Sequence, residues 1–294
     1  MESRPIIFFM MKQLRNYMHF FSWTGKAGIL FLFIALIIAV GAPLISIYPP
    51  NQLSGNALMP PDANHWFGTD DLGHDLWAQI CFGTRISLII GIGTALLSGF
   101  CGGLIGMFSG YQGGIIDKIL MRLIDVLIVL PDLPVMIVLA AFFGPGLLNI
   151  IIVLTLFSWV HTARIVRSQV LMLKEKEYVH YIKIHGATSW YIMRKHLFPD
   201  IFPLMSVSMI RLTGRAIIAE AGLSFLGLGD PTSKSWGMII HHATSFHGIY
   251  YTNYWKWWLV FPWMALTMMV LSLAFINRDL ERLLGHRYIP GNKK

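Results

Sequence analysis

Six stretches of this chain are each long and apolar enough to cross a hydrocarbon layer of ~30 Å, and this constrains everything else it can fold into. Inside such a layer each backbone N–H and C=O must find a partner within the protein, so the stretches are expected to be helices. They fall at 29–48, 86–108, 123–143, 148–170, 204–226 and 257–276. Composition agrees, since 55% of the 294 residues are hydrophobic and only 13% are charged. A water-facing surface needs roughly a quarter or more charged residues, which excludes an ordinary soluble enzyme. No small-residue cleavage site precedes Pro49 and Pro50, so the first stretch reads as a retained anchor. The expected fold is an all-α integral membrane bundle of six transmembrane helices.

Charge sets the orientation. With the N-terminus inside, the cytosolic segments hold 18 of the 23 Lys and Arg residues. They are Arg4, Lys12, Arg15 and Lys26, then Lys118 and Arg122, then Arg164, Arg167, Lys174, Lys176, Lys183, Arg194 and Lys195, and finally Arg278, Arg282, Arg287, Lys293 and Lys294. Short loops rich in Lys and Arg stay cytoplasmic, so the net charge of +8 reports topology rather than nucleic-acid binding. The outer segments carry Asp62, Asp70, Asp71 and Asp75, and aromatic residues such as Tyr250, Trp255 and Trp257 that suit a headgroup belt. The organisation is a cytosolic arm (1–28), a first span (29–48), an outer loop (49–85), a core (86–276) and a cytosolic tail (277–294). The core contains a cytosolic loop at 171–196 and an outer segment at 230–254.

The second stretch contains two overlapping small-xxx-small pairs, Gly99 with Gly103 and Gly102 with Gly106, so a neighbouring backbone is expected to approach it closely. A helix of this kind is built to be covered by protein, which favours an assembly over a lone monomer. Cys81 and Cys101 are too few for a disulfide framework. His65, His74, His241, His242 and His247 fall outside, but their spacing matches no metal-ligand set, and the 16 methionines read as membrane filler. Ser87, Ser98, Ser158 and Ser206 lack a nucleophile–base pattern, His161 near Ser158 being the nearest approach, so no catalytic residue is assigned. An ion-coupled secondary transporter is the alternative class, with Asp125 and Asp132 as its intramembrane acids; the lack of an internal repeat counts against it.

Between the fourth and fifth stretches the polar segment around Glu177 to Ala187 reads as a short amphipathic helix stopped at Gly186, with Tyr178, Ile182 and His185 on one face and Tyr181 beside them. A second turn or helix at 189–196 is expected to end before Pro199. A helix of this kind either lies in the headgroups or inserts into the groove of a soluble partner.

Several runs decide between these uses. Gly186-Ala187 followed by Arg194-Lys195-His196-Leu197-Phe198-Pro199 is similar to the coupling-loop signature of ABC importer permeases. The stretch Phe67-Gly68-Thr69-Asp70-Asp71-Leu72-Gly73-His74-Asp75, continuing through Gly83 to Leu88, resembles a hallmark of the C-type permease subunit of dipeptide, oligopeptide and nickel importers. Asp117 to Asp125 with Pro131, the run 220–229, Ser235-Trp236-Gly237 and the tail from Asn277 to Arg287 extend the resemblance over about residues 65 to 288. One departure stands out: His180, Tyr181 and Ile182 occupy the place of the family's Glu-Ala-Ala triplet, with Glu177 the nearest acid one turn earlier.

The resemblance implies the type I ABC importer transmembrane fold in a bacterial cytoplasmic membrane, pairing with a second permease subunit. It implies two cytoplasmic ATPase subunits, which bind the ATP and Mg²⁺, an extracytoplasmic solute-binding protein, and a cargo of dipeptides, longer peptides, nickel or a metal chelate. Glu177, Tyr178, His180, Tyr181, Ile182, Gly186 and Ala187 are then the ATPase-coupling residues. Arg211, Arg215 and Glu220 are ionisable groups in a span, where a charge costs ~2.5 kcal/mol or more, so they face protein or water. Either the two arginines line the conduit and meet substrate carboxylates, or they pair with Asp125, Asp132 or Glu220 to hold the bundle. Asp132, between Pro131 and Pro134, is expected at a break in the third span, and Arg211, Arg215, Glu220 and Asp132 are the expected residues of the translocation pathway. Asp70, Asp71, Asp75 and Trp236 are expected at an outer gate or a binding-protein contact, or in simple surface loops.

Overall fold

The computed structural model describes the backbone of residues 21–288 and the side chains of 21–283. Arg4, Lys12, Arg15, Lys293, Lys294 and the Arg287 side chain lie outside the described residues. The described chain is helical: α1 (Trp23–Ile45), α2 (Leu76–Gln112), α3 (Gly114–Val129), α4 (Asp132–Phe143), α5 (Leu147–Lys174), α6 (Glu177–Ile184), α7 (Ser189–Phe225), α8 (Trp236–Ser245) and α9 (Val260–Tyr288). Helices α1, α2, α5 and α7 and the stretch Trp255–Leu283 are each long and apolar enough to span a membrane, and α3 with α4 makes a sixth, broken span.

Each departure from the expected bounds has a local cause. Helix α1 starts at Trp23 because the Ser22 hydroxyl accepts from Gly25 N at 3.2 Å, six residues ahead of the apolar run. Helix α2 starts ten residues early because Asp75 caps it, its Oδ2 accepting from Ala78 N at 2.8 Å. The third stretch is two helices bent by 93° at Leu130-Pro131, since the residue before a proline is driven out of the α region. The helix from Ser189 does not stop before Pro199. It widens into a π turn at Met193–Leu197 and resumes with Pro199 in the first turn of Phe198–Phe225, where a missing N–H is tolerated.

Helix α2, at 37 residues ~55 Å long, is the central post. Most of its glycines face two neighbours of the same chain. A Cβ on Gly102, Gly106 or Gly110 would strike α5 backbone carbonyls at Trp159, Ala163 and Arg167, and one on Gly91, Gly99 or Gly103 would strike Ile217, Met209 and Met205 of α7. The expectation that these glycines favour an assembly is therefore corrected: α5 and α7 cover them within the chain. Helix α9 crosses α1 where Gly28 lies against the Ser272 backbone, and the Asp279 carboxylate accepts from Ser22 N and Oγ at 2.8 and 2.6 Å.

Candidate functional site

At one end of the bundle, α6 projects on the α5–α7 connection. Val179, 3% exposed, and the half-buried Ile182 pack into a cluster with Leu173, Ile192, Leu197 and Ile201. The inward stripe is thus Val179 and Ile182. Of the expected face Tyr178, Ile182 and His185, only Ile182 shares it; Tyr178 and His185 are exposed, because an eight-residue helix satisfies either pattern and Val179 takes the inner place. Tyr178 instead donates to Asp200 Oδ2 at 3.1 Å, tethering α6 to α7. Burial, and then the neighbouring Asp200 carboxylate, raise its phenol above the usual tyrosine range.

The other face of α6 is bare. Tyr181 is 64% and Ile184 81% exposed, and Glu177, His180 and Lys183 are also exposed. Gly186 closes the helix at φ +84°, donating to Lys183 O at 3.1 Å while Ala187 N donates to Ile182 O at 3.3 Å, a Schellman closure. Glu177 forms no ion pair among the described residues.

Midway along the bundle, a cleft of about 340 Å³ opens between the α3–α4 elbow, α5 and α7. Asp132, Ser158, His161 and Arg215 supply its polar groups, and Leu133, Met136 and Phe157 part of its apolar wall. Arg211, one turn from Arg215, forms an ion pair with Glu281 of α9 and does not line the cleft. Glu220 is also absent from it: 1% exposed, it accepts from Ser224 and Ser235 hydroxyls at 2.6 Å each and ties α7 to the start of α8. The ion pairs differ from those expected: Asp125 binds Arg164, and Asp117 binds Arg167 at 2.5 and 2.6 Å, both joining α3 to α5.

At the opposite end, Asp70 and Asp75 are not surface acids. Asp75 takes the His65 Nδ1–H at 2.9 Å in addition to capping α2, and Asp70 takes the His74 Nδ1–H at 2.9 Å and the Gln79 amide at 2.6 Å. Trp236, 2% exposed, wedges beneath α2 and donates to Ile80 O at 3.4 Å. These three hold the loop 49–75 and α8 onto the bundle, and only Asp71 of the four outer residues reaches the surface. There it lines a cavity of about 380 Å³ with Lys234, His242 and His247. Burial, and then the Asp70 charge, push the Asp71 carboxyl above its ordinary range.

Residues 102–288 match the family model described as "Binding-protein-dependent transport system inner membrane component". The chain belongs to that family. Related permeases cover more than four fifths of its length. The dipeptide transport system permease protein DppC of Bacillus subtilis is 41% identical over 87% of this chain and 80% of its own. The oligopeptide permease protein OppC of the same organism is 38% identical over 81% and 77%, and the probable D,D-dipeptide permease protein DdpC of Escherichia coli is 30% identical over 85% and 83%. The permease is thus a multi-pass inner-membrane component of an ABC importer, with the type I transmembrane fold. ATP hydrolysis is the work of separate subunits, so the permease is not an enzyme, and the ion-coupled alternative gives way.

Proposed function

We propose that the permease carries peptides across the bacterial cytoplasmic membrane. It pairs with a second permease subunit, is driven by two ATPase subunits that bind ATP and Mg²⁺, and is supplied by a solute-binding protein outside. Peptide cargo is supported by the relatives' names, which specify dipeptides, oligopeptides and D,D-dipeptides. Orientation with both termini and α6 in the cytosol is supported by the 18 basic residues that this topology keeps inside.

The observation that carries the reading is the two-sided character of α6. Its inner side is locked by Val179 and Ile182, while Tyr181 and Ile184 stand bare on a segment that is too polar to insert. A short helix with apolar anchors at i and i+3 fits a hydrophobic groove on a partner. Displacement of that groove by nucleotide is passed to α7 through the α6–α7 cluster and the Tyr178–Asp200 bond. The exposed face of α7, including Phe202, Arg215 and Ile218, is available to the second permease and the conduit.

Proteoliposomes containing the permease, its companion subunits and radiolabelled dialanine test this reading. Accumulation is expected to require ATP inside and the binding protein outside. Accumulation driven by a proton gradient without the ATPase subunits would overturn it.

A further inference from the structure

We propose that the central cleft is a dipolar subsite for a zwitterion, in which Arg215 takes the carboxylate of a short peptide and Asp132 takes its ammonium group. This rests on reading the cleft as part of the peptide path. Both side chains are exposed in the cleft, where their charges reach His161, and among the described residues neither side chain forms a hydrogen bond or an ion pair with the other or with any other group. Their neighbours behave differently, for Asp117, Asp125 and Arg211 are each neutralised by a partner on another helix. Charges left unpaired within membrane spans are rare and face a pathway or a partner. Two of opposite sign that face one cleft without meeting are matched by a ligand carrying both.

The architecture holds them apart. Asp132 is the first residue of α4 after the 93° elbow, and it is set between Pro131 and Pro134. Arg215 comes from the opposite wall, on α7, whose other side is packed against α2. Ser158 and His161 add hydrogen-bonding groups from midway along α5, and the rest of the lining is largely apolar. A few placed polar groups in an apolar cavity of this size orient a small ligand without reading its side chains. Free termini are common to all peptides, so such a subsite accepts many sequences.

The test uses the complete reconstituted importer in a Cys81→Ala, Cys101→Ala background, with dialanine uptake expressed per assembled complex. Ser158→Cys first reports on the cleft, and labelling by a water-soluble thiol reagent is expected. Arg215→Met and Asp132→Asn are each expected to lower uptake roughly tenfold or more, with Arg215→Lys and Asp132→Glu returning it to within about threefold of the parent. A labelled Ser158→Cys with uptake unchanged in both neutral variants overturns the subsite and leaves the conduit reading standing. An unreactive Ser158→Cys overturns both. If Arg215→Met yields no assembled complex while Arg215→Lys assembles, the charge belongs to the contact with the second permease, and the subsite is overturned.

Discussion

Gly186→Pro is expected to abolish peptide uptake while leaving an inserted, assembled complex. Gly186 sits at φ +84°, and proline fixes φ near −65°, so the substitution cannot keep the chain's path from α6 into α7. It also removes the N–H that donates to Lys183 O. No heavy atom lies within 4 Å of a Cβ built at Gly186, so the damage is to direction and not to packing. Helix α6 keeps its inner anchors but turns its bare face away from the groove it must fill. Peptide-stimulated ATP hydrolysis is expected to fall with uptake by roughly 10²-fold, since a coupling element acts only through differential contacts between states. Gly186→Ala, which meets only the left-handed backbone cost of about 1–2 kcal/mol, is expected to retain part of the activity. Tyr181→Asp reaches the same end by another route, placing a charge on the docking face without touching Val179 or Ile182. Parental uptake by the Gly186→Pro complex would refute the coupling role.

Gly106→Val is expected to destroy the fold itself. A Cβ at this position falls on the Ala163 backbone carbonyl of α5, and one at Gly102 falls on that of Trp159, so neither clash is relieved by a side-chain rotation. Helix α2 must then move away from α5 along the seam where Val160, Ala163 and Val166 are buried. Overpacking of well-packed sites costs about 1–3 kcal/mol, and a branched side chain against a rigid backbone belongs at or beyond the upper end. Gly93 supplies the control, since its Cβ would meet only the Ile151 side chain at 3.4 Å. In detergent, Gly106→Val is expected to give little monodisperse protein and a strongly lowered unfolding temperature, while Gly93→Ala stays near the parent. Equal unfolding temperatures for the two variants would show that the α2–α5 seam is not the tight contact described.

Much of this architecture could be read from the sequence because lipid imposes a simple rule: apolar length makes helices. The elbow at Pro131 and the helix stop at Gly186 were also legible, since proline and glycine act through their own backbones. The starts of α1 and α2 were not, because Ser22 and Asp75 act as caps outside the apolar runs. The aspartates expected to face outward show the same limit, since Asp70 and Asp75 are hydrogen-bonded to His74 and His65 in a loop whose closure no local pattern announces. Arg211 and Glu281 are seventy residues apart and meet only once α7 and α9 pack, so the pairing with Asp125 or Asp132 was as good a reading of the spacing. Of the cleft, Asp132 and Arg215 were visible as charges out of place, whereas the contributions of His161 and Ser158 depend on how α5 turns.

Coupled transport requires α6 to engage an ATPase, and a photo-crosslinker placed at Tyr181 in the reconstituted importer reads that contact directly. The predicted result is an adduct with the ATPase subunit, in a yield that changes when ATP is added. Adducts with phospholipid alone, at any nucleotide concentration, would mean that α6 lies on the membrane surface and that this permease is not driven through it.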